Sequence, residues 1–154
     1  KELADVIKNL DETMEKQFER AFDTISKEFS KFFQELFGGG KAQLMLVENE
    51  LEEVEVRADE PTIAGIDIQA SPPGKRLRNV SMLSGGEKAL TAIALLCAIL
   101  SFHPSPFVVL DEVDAALDEA NSHRYAKILQ QLSKQTQFIV ITHNLTKMHI
   151  AETF

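Results

Sequence analysis

The run Phe107-Val108-Val109-Leu110 ends on two acids, Asp111 and Glu112, and an apolar Val113 follows them. A short apolar, β-branched run of this kind reads as a strand buried on both faces of a parallel sheet. That constrains the fold, because a parallel sheet carries its connecting helices as a covering layer. Two carboxylates at the end of a buried strand do nothing for packing. They stand where ligands of open α/β sheets bind, outside the carboxyl ends of the strands. Asp111 could hold a magnesium ion there, and Glu112 could orient and deprotonate a water. The same pair would also suit a strand that runs into a helix N-terminus, where acids favour the dipole.

The flanking residues extend the pattern. Residues 119–133 are amphipathic, with Ala120, Tyr125, Ile128, Leu129 and Leu132 on the apolar side. Phe138 to Thr142 reads as the next buried strand, and Leu145 to Thr153 starts another helix. Strand, helix, strand, helix predicts a parallel α/β layer with right-handed crossovers. If the two strands are neighbours, Thr142-His143 lies beside Asp111-Glu112. Upstream, residues 85–100 are apolar nearly all round, which predicts a buried helix. Pro104 and Pro106 separate that helix from the strand, and His103, which follows the helix just before Pro104, reads as a loop residue without function. The lone Cys97 reads as a small core hydrophobe of a reduced, cytosolic protein.

A second motif opens the apolar helix. In Leu83-Ser84-Gly85-Gly86-Glu87-Lys88-Ala89-Leu90, Ser84 and Glu87 have the spacing of a capping box. Gly85 and Gly86 let a ligand approach the backbone closely, and the free amides of a helix N-terminus attract anions. A capped helix and nothing more is the plainer account. Against it, each glycine inside a first turn costs roughly 1 kcal/mol relative to alanine. Two in succession favour phosphate contact.

Residues 1–37 read as one helix, about 55 Å long at the standard rise. Its apolar residues, Leu3, Ile7, Leu10, Met14, Phe18, Phe22, Ile25, Phe29, Phe32 and Leu36, recur at steps of three or four. The early steps follow a heptad, and the four-residue steps from Met14 to Phe22 break it like a stutter. Either the helix is an ordinary amphipathic one on a globular core, or it is one strand of an antiparallel coiled coil whose partner lies outside this sequence. In both cases the aromatic-rich end (Phe29, Phe32, Phe33, Phe37) would dock on the globular part. Gly38-Gly39-Gly40 stops the helix. Residues 42–48 and 51–57 alternate and predict a strand hairpin, and Ile63 to Ala70 a further strand. The acids Glu48, Glu50, Glu52, Glu53 and Glu55 read as a solvated face. Ser71-Pro72-Pro73-Gly74 is a turn cluster. Lys75, Arg76 and Arg78 form a small basic patch, either merely solvated or contacting phosphate or DNA.

The motif LSGGEKAL, then FVVLDEVDAALD, then Ile141-Thr142-His143 resemble, in that order, the signature motif, Walker B with D-loop, and switch histidine of ABC-type ATPases. The longer wording, GIDIQASPPGKRLRNVSMLSGGEKAL through DEVDAALDEAN to TQFIVITHNLTKM, resembles the carboxyl-terminal head lobe of SMC (structural maintenance of chromosomes) proteins of bacterial type. The resemblance spans roughly residues 30–154. It implies an α/β fold: a partial P-loop, ABC-type head lobe at 38–154 with a parallel sheet and helices, a small antiparallel strand region, and a coiled-coil neck helix at 1–37.

What the resemblance implies for the site falls on matching residues. Asp111 would hold Mg²⁺. Glu112 would be the catalytic base, and His143 would contact the γ-phosphate and the attacking water. Ser84, Gly85, Gly86 and Glu87 form the signature loop that meets ATP held by a partner head, and Ala116, Leu117 and Asp118 the D-loop at the dimer interface. Asp118 would equally serve as a helix N-cap. Implied partners are the amino-terminal lobe of the same protein, a second head, a kleisin subunit, and DNA through the assembled complex. The implied process is chromosome condensation and segregation, driven by ATP and located in the cytoplasm on the nucleoid. A related coiled-coil DNA-repair ATPase is the neighbouring alternative, and a non-catalytic kleisin-binding lobe is the alternative for the chain in isolation.

Two features limit what the chain does alone. No G-x-x-x-x-G-K-[ST] occurs in it, so nothing cradles the β-phosphate or supplies the phosphate-binding lysine. The chain is therefore expected to be inactive alone. Its formal charge of −8, from 24 acids against 16 bases, also argues against strong nucleic-acid binding by this piece. The opening in mid-helix reads as an excised piece, and a last sheet strand is expected beyond Phe154. Neither a signal peptide nor a stretch apolar enough to cross a membrane is expected.

Overall fold

A computed structural model describes residues 2–48 and 63–143. The first element, helix α1 (Glu2–Phe37), matches the predicted helix and contains neither proline nor glycine. It ends on Gly38 at φ +69°, with the Gly39 amide donating to the Gln34 carbonyl at 2.9 Å. That is the left-handed glycine stop that returns an amide to the last turn. The last turn carries no basic residue of its own, and Arg124 reaches in to donate to the Leu36 carbonyl at 3.2 Å. Apolar residues on the first half of α1 are exposed, among them Val6, Ile7, Leu10 and Met14. The aromatic end docks as expected: Phe29, Phe32, Phe33 and Leu36 are buried, and Phe33 stacks on Phe37.

Two sheets follow. Strands β1 (Lys41–Glu48), β2 (Ile63–Ser71) and β3 (Arg78–Asn79) form an antiparallel sheet in that order. β1 pairs with β2 along its whole length, from Lys41 opposite Ser71 to Glu48 opposite Ile63. The expected hairpin partner at 51–57 lies outside the described residues, as does the expected helix at 145–153. Gly40, at φ +85°, makes the turn into β1, and a side chain there would collide with the Ser71 carbonyl oxygen. A short 3-10 turn (Val80–Met82) leads into helix α2 (Gly85–Phe102). Strand β4 (Phe107–Asp111), helix α3 (Glu119–Leu132) and strand β5 (Gln137–Ile141) complete the described fold. β4 and β5 pair in parallel with Asp111 opposite Ile141, so the condition for placing His143 beside Glu112 is met.

The core lies where α1, α2 and α3 meet β1, β2 and one face of the β4–β5 sheet. Leu90, Ile93, Ala94, Cys97 and Ala98 of α2 supply one wall, and Tyr125 and Ile128 of α3 another. Cys97 is buried there, and burial pushes its thiol up to about 12, so it is an inert packing group.

Four expectations need correction. The strands β4 and β5 are not buried on both faces. Phe107 and Val109 of β4 and Ile139 and Ile141 of β5 alternate onto one exposed face, while Leu110 and Val108 turn into the core. The helices cover one side of this two-stranded sheet within the described residues. α2 is likewise covered on one side, with Ile99 and Phe102 exposed. It is also long and apolar enough, by length and composition, to cross a membrane, contrary to the expectation. Its packing on α1 explains that composition, because a soluble core helix passes the same test. On α3, Ala120 is exposed, and Ser122 and Ala126 take the buried positions beside Tyr125 and Ile128.

Candidate functional site

The backbone at the end of β4 explains how the acids are presented. The Glu112 amide donates to the Ile141 carbonyl at 2.9 Å, so the ladder runs one residue past the strand. Glu112 then takes φ +47°, the one non-glycine residue with positive φ among the described residues. A left-handed glutamate is strained, and such strain clusters at functional sites. The turn beyond it closes through Ala115 N–H to Glu112 and Leu117 N–H to Asp114 carbonyls, each at 3.0 Å. Asp118 then caps α3, its carboxylate accepting from the Asn121 amide at 2.8 Å. The capping expectation for Asp118 therefore holds.

Glu112 and His143 meet across the two strand ends, with His143 Nε2 lying 2.9 Å from Glu112 Oε1. Both side chains are exposed, so their pairing orients more than it stabilises. Asp111 is exposed at the same edge. Beneath them, the buried Asp114 carboxylate accepts from the Thr142 hydroxyl at 2.8 Å. This bond ties the loop after β4 to the residue just before His143. Neither Asp114 nor Thr142 has a role of its own in the sequence reading, where Thr142 enters only as the neighbour of His143. An acid three residues past Asp111, facing a threonine at the next strand end, was the available signal.

Ser84, Gly85, Gly86 and Glu87 form a separate cluster at the start of α2. The Glu87 carboxylate accepts from the Ser84 amide at 3.0 Å and from the Ser84 hydroxyl at 2.8 Å. Both arms of the expected capping box are present, the Ser84 side chain toward the Glu87 backbone amide and the Glu87 side chain toward the Ser84 amide, and the Glu87 arm is the one with good hydrogen-bond geometry. The other Glu87 oxygen lies 2.8 Å from Lys75 Nζ. Hydrogen bonds from Lys75 and then Ser84 hold the Glu87 carboxyl down to about 2, well below its ordinary range. Lys75 is therefore not merely solvated, and this pairing was not anticipated from sequence.

The glycines have no internal reason to be glycines. A Cβ on Gly85 would meet nothing within 4 Å, and one on Gly86 would make ordinary contact with the Ala116 carbonyl oxygen at 3.8 Å. That contact brings the start of α2 against Ala116 of the loop after β4. No hydrogen bond or ion pair joins the Ser84–Glu87 cluster to Asp111, Glu112 or His143 among the described residues. The chain thus presents two separate clusters: a strand-end acid pair with a histidine, and a glycine-rich helix start.

The donor set suits magnesium of the nucleotide type. Such an ion keeps several waters and takes one or two carboxylates plus substrate phosphates. Asp111, exposed beside Glu112, offers that. Among the described residues no group of three or more His, Cys, Asp or Glu forms a closed metal cage.

Residues 2–154 match the family described as the RecF/RecN/SMC N terminal domain. The chromosome partition protein Smc of Bacillus subtilis (strain 168) is 50% identical over 151 residues, 97% of this chain. The chain spans 12% of the length of the curated relatives it matches. Among solved structures, an Smc head domain with an extended coiled coil, bound to the C-terminal domain of ScpA derived from Pyrococcus furiosus, superposes with a TM-score of 0.81. It is 40% identical, and the match covers 96% of this chain and 35% of that one. A chain from work on ATP-driven dimerisation and DNA-stimulated activation of SMC ATPases gives a TM-score of 0.73 at 40% identity, covering 90% of this chain and 79% of that one.

Proposed function

The chain belongs to the RecF/RecN/SMC family, and from that premise we propose that it is the carboxyl-terminal lobe of an SMC-type ATPase head that acts in chromosome partition. The matching family is described as an N terminal domain; the carboxyl-terminal assignment rests instead on motif content. The Ser84–Glu87 run, the strand-end acids and His143 resemble a signature loop, a Walker B end and a switch histidine, and the sequence lacks G-x-x-x-x-G-K-[ST] throughout. The exposed apolar stripe of α1 and the exposed face of the β4–β5 sheet support the same reading, because each calls for a cover. A second neck helix would cover the first, and the lobe carrying the Walker A loop the second.

The observation that carries the reading is the Glu112–His143 pair beside Asp111 at the carboxyl edge of a parallel sheet. Asp111 is the residue that would hold Mg²⁺. Bound there, the ion would neutralise charge on the ATP phosphates. Glu112 accepts the proton of the attacking water as general base. His143 pairs with the Glu112 carboxylate and would contact the γ-phosphate of a bound ATP. Ser84, Gly85 and Gly86 present a helix N-terminus to ATP held by a second head. Glu87 braces that turn, and Ala116, Leu117 and Asp118 lie at the seam between heads.

Partners follow from the same reading: the amino-terminal lobe, a second head, a kleisin of the ScpA kind, and DNA through the complex. The full protein is then a nucleoid-associated, cytoplasmic ATPase, and this chain alone is inactive. ATP hydrolysis after mixing the chain with a polypeptide that carries the Walker A lobe tests the proposal. Turnover is expected in the wild-type mixture and lost with Glu112→Gln or Ser84→Arg. Turnover by the chain alone, or a mixture indifferent to Glu112→Gln, would refute it.

A further inference from the structure

The lead-in to the Ser84 loop is strapped to the antiparallel sheet at two points. Asn79 donates to both oxygens of Asp67 on β2, at 2.7 and 2.8 Å, while its own amide oxygen accepts from the Ser81 backbone at 2.9 Å. Earlier in the segment, the Lys75 amide closes a turn onto the Pro72 carbonyl at 3.0 Å. The Ser71 hydroxyl donates to the Lys75 carbonyl at 2.7 Å. The Lys75 backbone is thus fixed, and its ammonium reaches the Glu87 carboxylate across twelve residues at 2.8 Å.

That contact meets an electrostatic problem. The amides of Gly85 and Gly86 open toward an anion, yet an acid sits at the third position of the same turn. An unneutralised Glu87 would repel an incoming triphosphate. It would also keep the one Ser84 hydroxyl proton, which now points at Glu87 Oε2. A cation on the other carboxylate oxygen offsets both effects. It lowers the local negative charge and weakens Glu87 as an acceptor, so the hydroxyl can turn toward phosphate.

We propose that Lys75 is a positioning residue for ATP engagement at the Ser84–Gly86 loop, acting through Glu87 and not by touching the nucleotide. This rests on the nucleotide-binding reading of that loop. Lys75 is about half exposed and Glu87 largely covered, so solvent screens the pair and only part of its attraction reaches stability. Its consequence lies in the charge presented at the helix start.

The test is a double-mutant cycle in the full-length protein that contains this segment. The half-saturating ATP concentration for head dimerisation and kcat are measured for wild type, Lys75→Met, Lys75→Arg, Glu87→Gln and Lys75→Met/Glu87→Gln, with Ser84→Arg as control. Gln is an accepted partner at this position of a capping box, so Glu87→Gln keeps the turn. Lys75→Met is expected to raise the half-saturating ATP several-fold, with kcat at saturation moving less. Lys75→Arg restores it, and Glu87→Gln suppresses the Lys75→Met defect. An equal Lys75→Met defect in the Glu87→Gln background means direct contact with phosphate or DNA and overturns the inference. A Lys75→Met protein that behaves as wild type, while Ser84→Arg abolishes dimerisation, overturns it and leaves the loop's role intact. If Ser84→Arg is also silent, the nucleotide-binding reading of the loop falls with it.

Discussion

Glu112 holds φ +47° at the edge where the chemistry is proposed, and the strain of that conformation can be read directly. The informative comparison is Glu112→Gly against Glu112→Ala. Both variants lose the carboxylate and the contact with His143, so that loss cancels between them. Both leave the exposed position without a long side chain. What differs is a Cβ in the left-handed region, which costs about 1–2 kcal/mol for an L-residue. Glycine gives some of that back through its larger unfolded-state freedom, about 0.5–1 kcal/mol. Glu112→Gly is therefore expected to be the more stable of the two, by about 0.75 kcal/mol at the centre of these ranges. That is the reverse of the usual order, in which alanine exceeds glycine. In a chain of 154 residues it corresponds to a Tm difference of about 1–4 °C. Thermal and urea unfolding of the two variants measure it, and neither should support ATP turnover in the reconstituted head. If Glu112→Ala proves at least as stable as Glu112→Gly, the strand end is not strained, and the argument that conformation presents this carboxylate fails.

Three further outcomes follow from the geometry. Phe33→Ala removes a fully buried ring that stacks on Phe37 at 4.1 Å, and should cost about 3–5 kcal/mol in urea unfolding. Gly40→Ala puts a Cβ against the Ser71 carbonyl oxygen at φ +85°, so a loss of more than about 1 kcal/mol is expected by the same assay. The third concerns acid. Glu87 has a folded value of about 2 against an ordinary 4.5. Its contribution is thus present above about 4.5 and lost as pH falls toward 2, because the unfolded state then binds the extra proton. Wild type should lose more Tm than Lys75→Met between about pH 6 and pH 3, and equal losses would contradict the Lys75–Glu87 contact.

The sequence was most legible where chain-local rules decide the outcome. Periodicity and the glycine run located α1 and its end. The apolar run with its terminal acids located β4, and the Ser84–Glu87 spacing located the start of α2. The neighbour relation of β4 and β5, stated as a condition, is met, and it brings Glu112 to His143. What was not legible depends on contacts made across sequence distance. Lys75 reaches Glu87, Arg124 reaches Leu36, and Thr142 reaches Asp114, 28 residues away. Side-chain reach of that kind has no period and leaves no pattern. The left-handed turn at Glu112 was hidden for another reason: glutamate is not a residue that signals positive φ.

The misread burial of β4 and β5 has a specific physical meaning. A run such as Phe107 to Leu110 carries no polar alternation, so it reads as covered on both sides. In this chain one side holds Leu110 in the core, and the other leaves Phe107, Val109, Ile139 and Ile141 in water. Burying such side chains contributes roughly 1.5–3 kcal/mol each. Four on one face therefore leave a substantial driving force unspent. The same holds for Val6, Ile7, Leu10 and Met14 along α1, and for Ile99 and Phe102 on α2. Among the described residues, hydropathy and burial therefore disagree on these faces. The mismatch between the two is greatest on the sheet whose carboxyl edge carries Asp111, Glu112 and His143. In the proposed head that is also the sheet whose second layer would bring the missing phosphate loop, so the unspent apolar surface and the incomplete chemistry call for the same partner.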